Sequence, residues 1–409
     1  MPGAAIGVVR DGAIATAYHG IADVSTGEPI TTESLFSVGS LTKSMVATVI
    51  ARLAEAGRLS LDEVAAVNLP ELRDNGWAQS ATLRDLLANR SGLPLRADLE
   101  FGFTGRGNDD DGGLPGLVAD VAAATPTTQI WSYTNVGWCL LGRVLEVVTD
   151  EPWADAMSRH LAGAGMHQTS FGHIDAERRV SGHEVTKEGT TPTGPWAAPA
   201  YGPAGTTAVS TVTDLLRFAQ MHLEEPALAD LRTVHANVPI YGWLDSWCLG
   251  WARFDWDGGP VWGWDGVING ERSVLRLMPD RRAAVALLTN GSTGRAMYRS
   301  LFGDLMASLF GINVPPLDLD PSPGAAGDLA RFNGVYAWPD RRMEVEASGS
   351  GLLISDQNGQ RQALPLNERV FLMDAKDPDE PTVTFGAYDD AGRPQVLYDM
   401  LWGLPRFDA

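Results

Sequence analysis

Ser40-Leu41-Thr42-Lys43 opens a stretch whose apolar residues Met45, Val46, Val49, Ile50 and Leu53 recur at helical spacing until Gly57. That periodicity predicts a helix over 40–56, with the glycine as its stop. Residues three apart share one face of a helix, so the Lys43 amine falls within hydrogen-bond reach of the Ser40 hydroxyl. At a helix N-terminus the unpaired amides and the positive dipole end favour negative charge, on an alkoxide or on the oxyanion of a tetrahedral intermediate. The same dipole, with burial, disfavours an ammonium and moves Lys43 toward the neutral base that such chemistry requires. A serine N-cap beside a solvated lysine is the ordinary explanation of S-x-x-K. Against it, this S-x-x-K is unique in the chain and lysine is rare. Only Lys43, Lys187 and Lys376 occur, and the other 28 basic residues are arginine, which cannot give up its proton.

Two further elements fit that serine. Tyr133-Thr134-Asn135 is the sole Y-x-N, and it precedes an amphipathic stretch, 136–148, for which Asn135 is a good N-cap. A phenol presented to Ser40 and Lys43 can relay a proton to a leaving group, while Asn135 can orient Lys43 or hold a substrate carbonyl. The plainer alternative is a helix cap preceded by a packed aromatic. Gly263-Trp264-Asp265-Gly266-Val267 reads as a strand whose glycines let a ligand approach its edge, with the Val267 amide available to pair with that of Ser40 as an oxyanion hole. For Trp264 alone, packing on a strand is the simpler reading.

Outward from these motifs, residues 5–10 and 14–19 read as two strands around an Asp11-Gly12 turn. Residues 83–87 read as a short helix, 101–116 as a Gly- and Asp-rich surface loop, 186–210 as a long irregular segment and 213–224 as a helix. Strands are predicted over 249–254, 261–264, 272–278 and 283–289, followed by a helix over 296–310. Strands at both ends of a segment that encloses helices predict an α+β fold, an α/β sandwich whose antiparallel sheet takes its first strands from the N-terminus. Pro315, Pro316, Pro321, Pro323 and Gly324 give 313–327 a linker composition. Short alternating runs beyond it predict a small β domain over 328–409, a barrel or lipocalin-like unit. The catalytic domain is then 1–312.

Composition narrows the function. The 409 residues carry a formal charge of -20, which opposes nucleic acid or an anionic membrane as partner. No run of about 18 apolar residues occurs to span a bilayer. Met1-Pro2-Gly3 leads directly into the first strand with no basic, apolar leader, and a cytoplasmic location is the expectation. Cys139 and Cys248 are too few for a disulfide framework and sit in apolar surroundings. There is no G-x-S-x-G elbow, no H-x-x-x-H pair and no phosphate loop, so no metal and no cofactor is expected. Asp109-Asp110-Asp111 reads as a solvated loop tip rather than a metal site.

Taken together and in this order, the three motifs resemble those of the class C β-lactamase and penicillin-binding-protein-like serine hydrolases. Thr82 to Leu87 leading to Ser91-Gly92-Leu93-Pro94, and Pro203-Ala204-Gly205 followed by Ser210-Thr211, resemble further segments of that family. The resemblance covers residues 1–312 and implies a β-lactamase-like sandwich with an all-helical region. It implies Ser40 as nucleophile, Lys43 as general base, Tyr133 as proton relay, and Asn135 as orienter of substrate and lysine. Trp264, Asp265, Gly266 and Val267 would flank the acyl carbonyl. This chain departs from the family where others carry Lys or His before Thr or Ser and Gly. Trp264 cannot pair with a substrate carboxylate and Asp265 would repel one, which disfavours penicillins and peptidoglycan stem peptides. A tryptophan in this context is similar to the family's esterase branch and to its acyltransferases that modify natural products, as in antibiotic biosynthesis. The family's leading helix is not found ahead of the first strand, which predicts weaker sheet packing or a partner subunit in its place, so a homo-oligomer stays open. Six of the thirteen tryptophans fall between Trp243 and Trp264, as an aromatic wall for an acyl group or as strand core.

The reading that follows is a serine acyl-enzyme esterase or transacylase acting on a small-molecule ester or amide, with water, an amine or an alcohol as acceptor. A D-amino-acid amidase, peptidase or β-lactamase of the same family is the first alternative. A non-catalytic binding protein on the same fold is the second, and the intact Ser40, Lys43 and Tyr133 count against it.

Overall fold

The computed structural model describes residues 1–93, 113–122, 130–172, 177–194, 198–338, 341–373 and 382–407, with backbone alone at 295, 296 and 299. The Asp109–Asp111 run, Pro94 and Lys376 lie outside the described residues. So does the stretch 101–112, most of the loop expected there. Its remainder, 113–116, opens a helix, Gly113–Val121, which buries Leu114, Leu117 and Val118.

β1 (Gly3–Arg10) and β2 (Ala13–Gly20) form the expected hairpin, each a residue or two longer than predicted. Two short pairs follow, β3 (Phe36–Ser37) with β6 (Val209–Ser210) and β4 (His183–Val185) with β5 (Thr190–Pro192). With a 3-10 turn at Pro199–Ala204, they break up the segment 186–210 that composition marked as irregular. The main sheet adds β7 (Ala236–Ile240), β8 (Leu244–Trp247), β9 (Ala252–Trp256), β10 (Gly259–Ile268), β11 (Glu271–Met278) and β12 (Ala283–Thr289), in the antiparallel order β2-β1-β12-β11-β10-β9-β8-β7. β1 pairs with β12 along its length, Ala4 opposite Thr289 and Arg10 opposite Ala283, so the first strand closes against the last of the sheet. β7 and β8 lie outside the predicted strands: Pro239 interrupts the first, and the register shifts between Asn237 and Ile240.

Helices cover both faces. On one, Leu216 of the Val212–Glu224 helix packs so closely on β1 that a Cβ at Gly7 would stand 2.6 Å from it. On the other, the helical stretch Gly294–Phe310, with a π turn at Tyr298–Phe302, reaches the sheet where Arg276 donates to the Tyr298 hydroxyl. The Thr42–Glu55 helix is buried without a break from Thr42 to Ile50. A helix apolar or satisfied all round belongs inside, and its polar groups are indeed bonded: Ser44 donates to the Gly250 carbonyl, and Thr48 to the Ser44 carbonyl.

Beyond the proline-rich segment, β13 (Gly334–Trp338), β14 (Arg341–Ser348), β15 (Gly351–Asp356), β16 (Gly359–Pro365), β17 (Val370–Met373), β18 (Thr382–Tyr388), β19 (Pro394–Asp399) and β20 (Trp402–Phe407) close into an antiparallel barrel. Closure removes both sheet edges, the usual remedy for exposed strand edges. Phe332, Tyr336, Phe371 and Phe385 fill the barrel, forming a core of their own. Val396, Tyr398 and Leu401 instead join the core of the larger body. The fold is therefore β-lactamase-like, with mixed helices and antiparallel sheet followed by an eight-stranded barrel. Among the described residues no helix is long and apolar enough to cross a membrane.

Candidate active site

Ser40 does not lie inside the helix its sequence suggested. It occupies a 3-10 turn, Gly39–Leu41, and the α-helix begins at Thr42. Thr42 Oγ1 donates to the Gly39 carbonyl at 2.8 Å and ties the turn to the helix. Gly39 has φ +52, and a Cβ there would stand 2.9 Å from the Val267 nitrogen, so the turn presses against β10 as only glycine permits. Gly205, φ +124, closes the other side: a Cβ on it would stand 2.2 Å from the Gly39 oxygen and 2.8 Å from the Ser40 nitrogen.

Lys43 is fully buried. Its Nζ donates to Ser40 Oγ at 3.1 Å, to Asn135 Oδ1 at 2.9 Å and to the Ala204 carbonyl at 2.6 Å. It also stands 4.9 Å from the centre of the Tyr133 ring. Asn135 thus turns its side chain toward Lys43, and the N-cap role predicted for it passes to its neighbour, since Thr134 Oγ1 accepts from the Gly137 amide. Tyr133 is buried, with its hydroxyl accepting from Trp264 Nε1 at 3.2 Å. Ser40, Lys43, Tyr133, Asn135 and Trp264 therefore meet in one place, with the Val267 backbone beside the Ser40 turn.

Asp265 does not join them. Successive residues of a strand face opposite sides, and its carboxylate lies across β10 from Trp264, 2.5 Å from the guanidinium of buried Arg276. The repulsion expected of a bare carboxylate is thereby offset by a cation that no local motif marks. The tryptophans between 243 and 264, open to reading as an aromatic wall or as strand core, do not form one group. Trp247 and Trp264 pack edge-on at 4.8 Å beside Tyr133, whereas Trp251 stacks on Phe218. Trp243 and Trp256, with Arg276 and Tyr298, line a cavity of about 270 Å³ against the opposite face of the sheet, and neither Ser40 nor Lys43 contributes to it.

Beneath the Ser40 loop, Glu271 accepts from the Ser37 amide and hydroxyl at 2.8 Å each and lies 3.6 Å from Arg179. Burial pushes its carboxyl up to about 7 against the opposing pull of those partners. This support has no sequence signature, because Glu271 stands 234 residues from Ser37. Burial likewise pushes the Cys248 thiol up to about 12, which leaves it a poor nucleophile.

The sandwich of helices on an antiparallel sheet is the fold of the serine hydrolases of the β-lactamase and penicillin-binding-protein type. The chain belongs to this family: the Beta-lactamase family model matches residues 1–303. It is 34% identical to penicillin-binding protein 4 of Amycolatopsis lactamdurans over 82% of this chain and 93% of that one. The SurE crystal structure superposes with a TM-score of 0.81 at 27% identity, covering 99% of this chain and 95% of SurE, and SurE with D-Leu superposes at 0.79. D-amino acid amidase from Ochrobactrum anthropi SV3 in complex with D-phenylalanine shares the fold, with a TM-score of 0.62 at 22% identity over 71% of this chain and 86% of the amidase.

Proposed function

We propose that this protein cleaves a small-molecule ester or amide through an acyl-enzyme on Ser40 and passes the acyl group to an amine, an alcohol or water. The observation that carries the proposal is the 3.1 Å approach of a wholly buried Lys43 to Ser40 Oγ. A neutral amine has two N–H bonds and one lone pair. In that form its two N–H bonds donate to the Ala204 carbonyl and Asn135 Oδ1, and the 3.1 Å contact with the serine reverses, the Ser40 hydroxyl donating to the amine lone pair. Ser40 Oγ attacks the carbonyl carbon while its proton moves to Lys43, and the resulting oxyanion is held by the amides of Ser40 and Val267. Tyr133 hands a proton to the departing alcohol or amine and takes the serine proton back from Lys43; the acceptor then attacks the ester on Ser40, and its proton passes through the same groups to the released Ser40 Oγ.

The acyl group favoured is that of a D-amino acid. SurE, similar over nearly the whole chain, has been crystallised with D-Leu. The uncharged indole of Trp264, where other members carry a cation, suits a substrate with no carboxylate at that point. Residues 1–312 form the catalytic unit in this reading, 313–327 the linker and 328–409 the barrel. Hydrolysis and transfer share one intermediate and differ in how well water is excluded. A panel of D- and L-aminoacyl esters and amides, with and without amine acceptors and followed by mass spectrometry of products, tests the proposal. Turnover of D-acyl donors supports it, and a protein inert toward every ester and amide contradicts it.

A further inference from the structure

Tyr133 lies in a segment, 130–134, that belongs to neither helix nor strand, and the larger body holds that segment where the Ser132 amide donates to the Asn89 carbonyl at 3.0 Å. The barrel holds it at the next residue. The Tyr133 amide donates to the Leu401 carbonyl at 3.0 Å, and the Gly403 amide donates to Ser132 Oγ at 3.1 Å. Both barrel residues sit at the β19–β20 hairpin, whose tip carries Met400 at φ 55. The approach is close enough that a Cβ on Gly403 would stand 2.6 Å from the Trp131 oxygen. Leu401 is buried at 6% exposure in the core of the larger body, and Tyr398 packs on Trp131 with ring centres 6.0 Å apart. The hairpin is itself fixed within the barrel, since Trp338 Nε1 donates to the Gly403 carbonyl.

We propose that the β19–β20 hairpin, through Leu401 and Gly403, is a positioning element that sets where the Tyr133 phenol stands relative to Ser40 and Lys43. The proposal rests on Tyr133 as proton relay, and it gives the barrel a part in the chemistry. A main-chain bond at Tyr133 and a side-chain bond at Ser132 tie to the hairpin the segment from which the phenol projects toward Lys43 and Trp264. A proton relay tolerates little displacement, because a shift of about 1 Å can cost on the order of a hundredfold.

The test is a double-mutant cycle on the full chain. Gly403→Ala forces the hairpin away from Trp131, and Ser132→Ala removes one bond with no added bulk. Each is measured alone and with Tyr133→Phe, by kcat and KM on an ester and by the rate of Ser40 labelling with a fluorophosphonate. We expect Gly403→Ala to lower kcat by about tenfold to a hundredfold and Ser132→Ala by a few fold, with KM nearly unchanged. In the Tyr133→Phe background both should cost almost nothing more. Losses of the same size with and without the phenol would show that the hairpin acts on the fold as a whole, and would overturn the proposal. So would two single variants at wild-type kcat. If Gly403→Ala does not fold, Ser132→Ala decides alone. Full activity of Tyr133→Phe by itself would instead remove the role assigned to Tyr133 under the proposed function.

Discussion

Replacing Lys43 by arginine keeps the hydrogen-bond donors and, in the proposed mechanism, takes away the proton acceptor. The lysine Nζ sits 2.6 Å from the Ala204 oxygen, 2.9 Å from Asn135 Oδ1 and 3.1 Å from Ser40 Oγ, in a position without solvent exposure. A guanidinium can still donate to those oxygens, but it has no lone pair for the serine proton and stays charged at any workable pH. If Ser40, Lys43 and Tyr133 act as a unit, the variant loses about a thousandfold or more in acylation rate, equivalent to roughly 4 kcal/mol of barrier. Lys43→Met, similar in length and without charge, should lose as much, which separates proton acceptance from mere positive charge. The assay is the pseudo-first-order labelling of Ser40 by a fluorophosphonate, read by intact mass, with calorimetry to show that each variant is folded. An arginine variant that labels within about tenfold of wild type would refute Lys43 as the base.

Three further outcomes follow from the same geometry. Asn135→Ala should leave the Lys43 amine free to rotate and lower kcat by about tenfold to a hundredfold, with the change confined to kcat in steady-state kinetics. Gly205→Ala places a Cβ 2.2 Å from the Gly39 oxygen at φ +124, and should cost about 2 kcal/mol or more in denaturant unfolding as well as slow acylation. Glu271 has its carboxyl raised by burial from 4.5 to about 7, so between those values the folded state binds more protons than the unfolded one. Its contribution to stability is present in full below 4.5 and is lost as pH rises through about 7. Glu271→Gln should flatten that part of the stability-pH curve, and an unchanged slope would contradict the assignment.

What was legible in the sequence were the features written in residue type and spacing. Ser40 and Lys43 stood out through a three-residue spacing and the scarcity of lysine, and the hairpin of β1 and β2 through its Asp11-Gly12 turn. The Ala204 carbonyl that holds Lys43 was hidden, because a main-chain acceptor has no residue signature. Arg276 was hidden for another reason: it meets Asp265 across two paired strands, and register is not written in either strand alone. The tryptophans between 243 and 264 read as one group by proximity in sequence, yet strand alternation and the return of the chain sent Trp264 to Tyr133 and Trp256 to the opposite face. The barrel was visible as alternating runs, but its hairpin at Leu401 gave no sign that it would reach Tyr133, 268 positions earlier in the chain.

The covalent step is tested most directly by quenching the enzyme during turnover of a D-aminoacyl ester and mapping any added mass. One acyl group per chain is expected on the peptide that contains Ser40, with no added mass and no turnover in Ser40→Ala. Turnover that survives in Ser40→Ala, or an acyl group found on another residue, would contradict it.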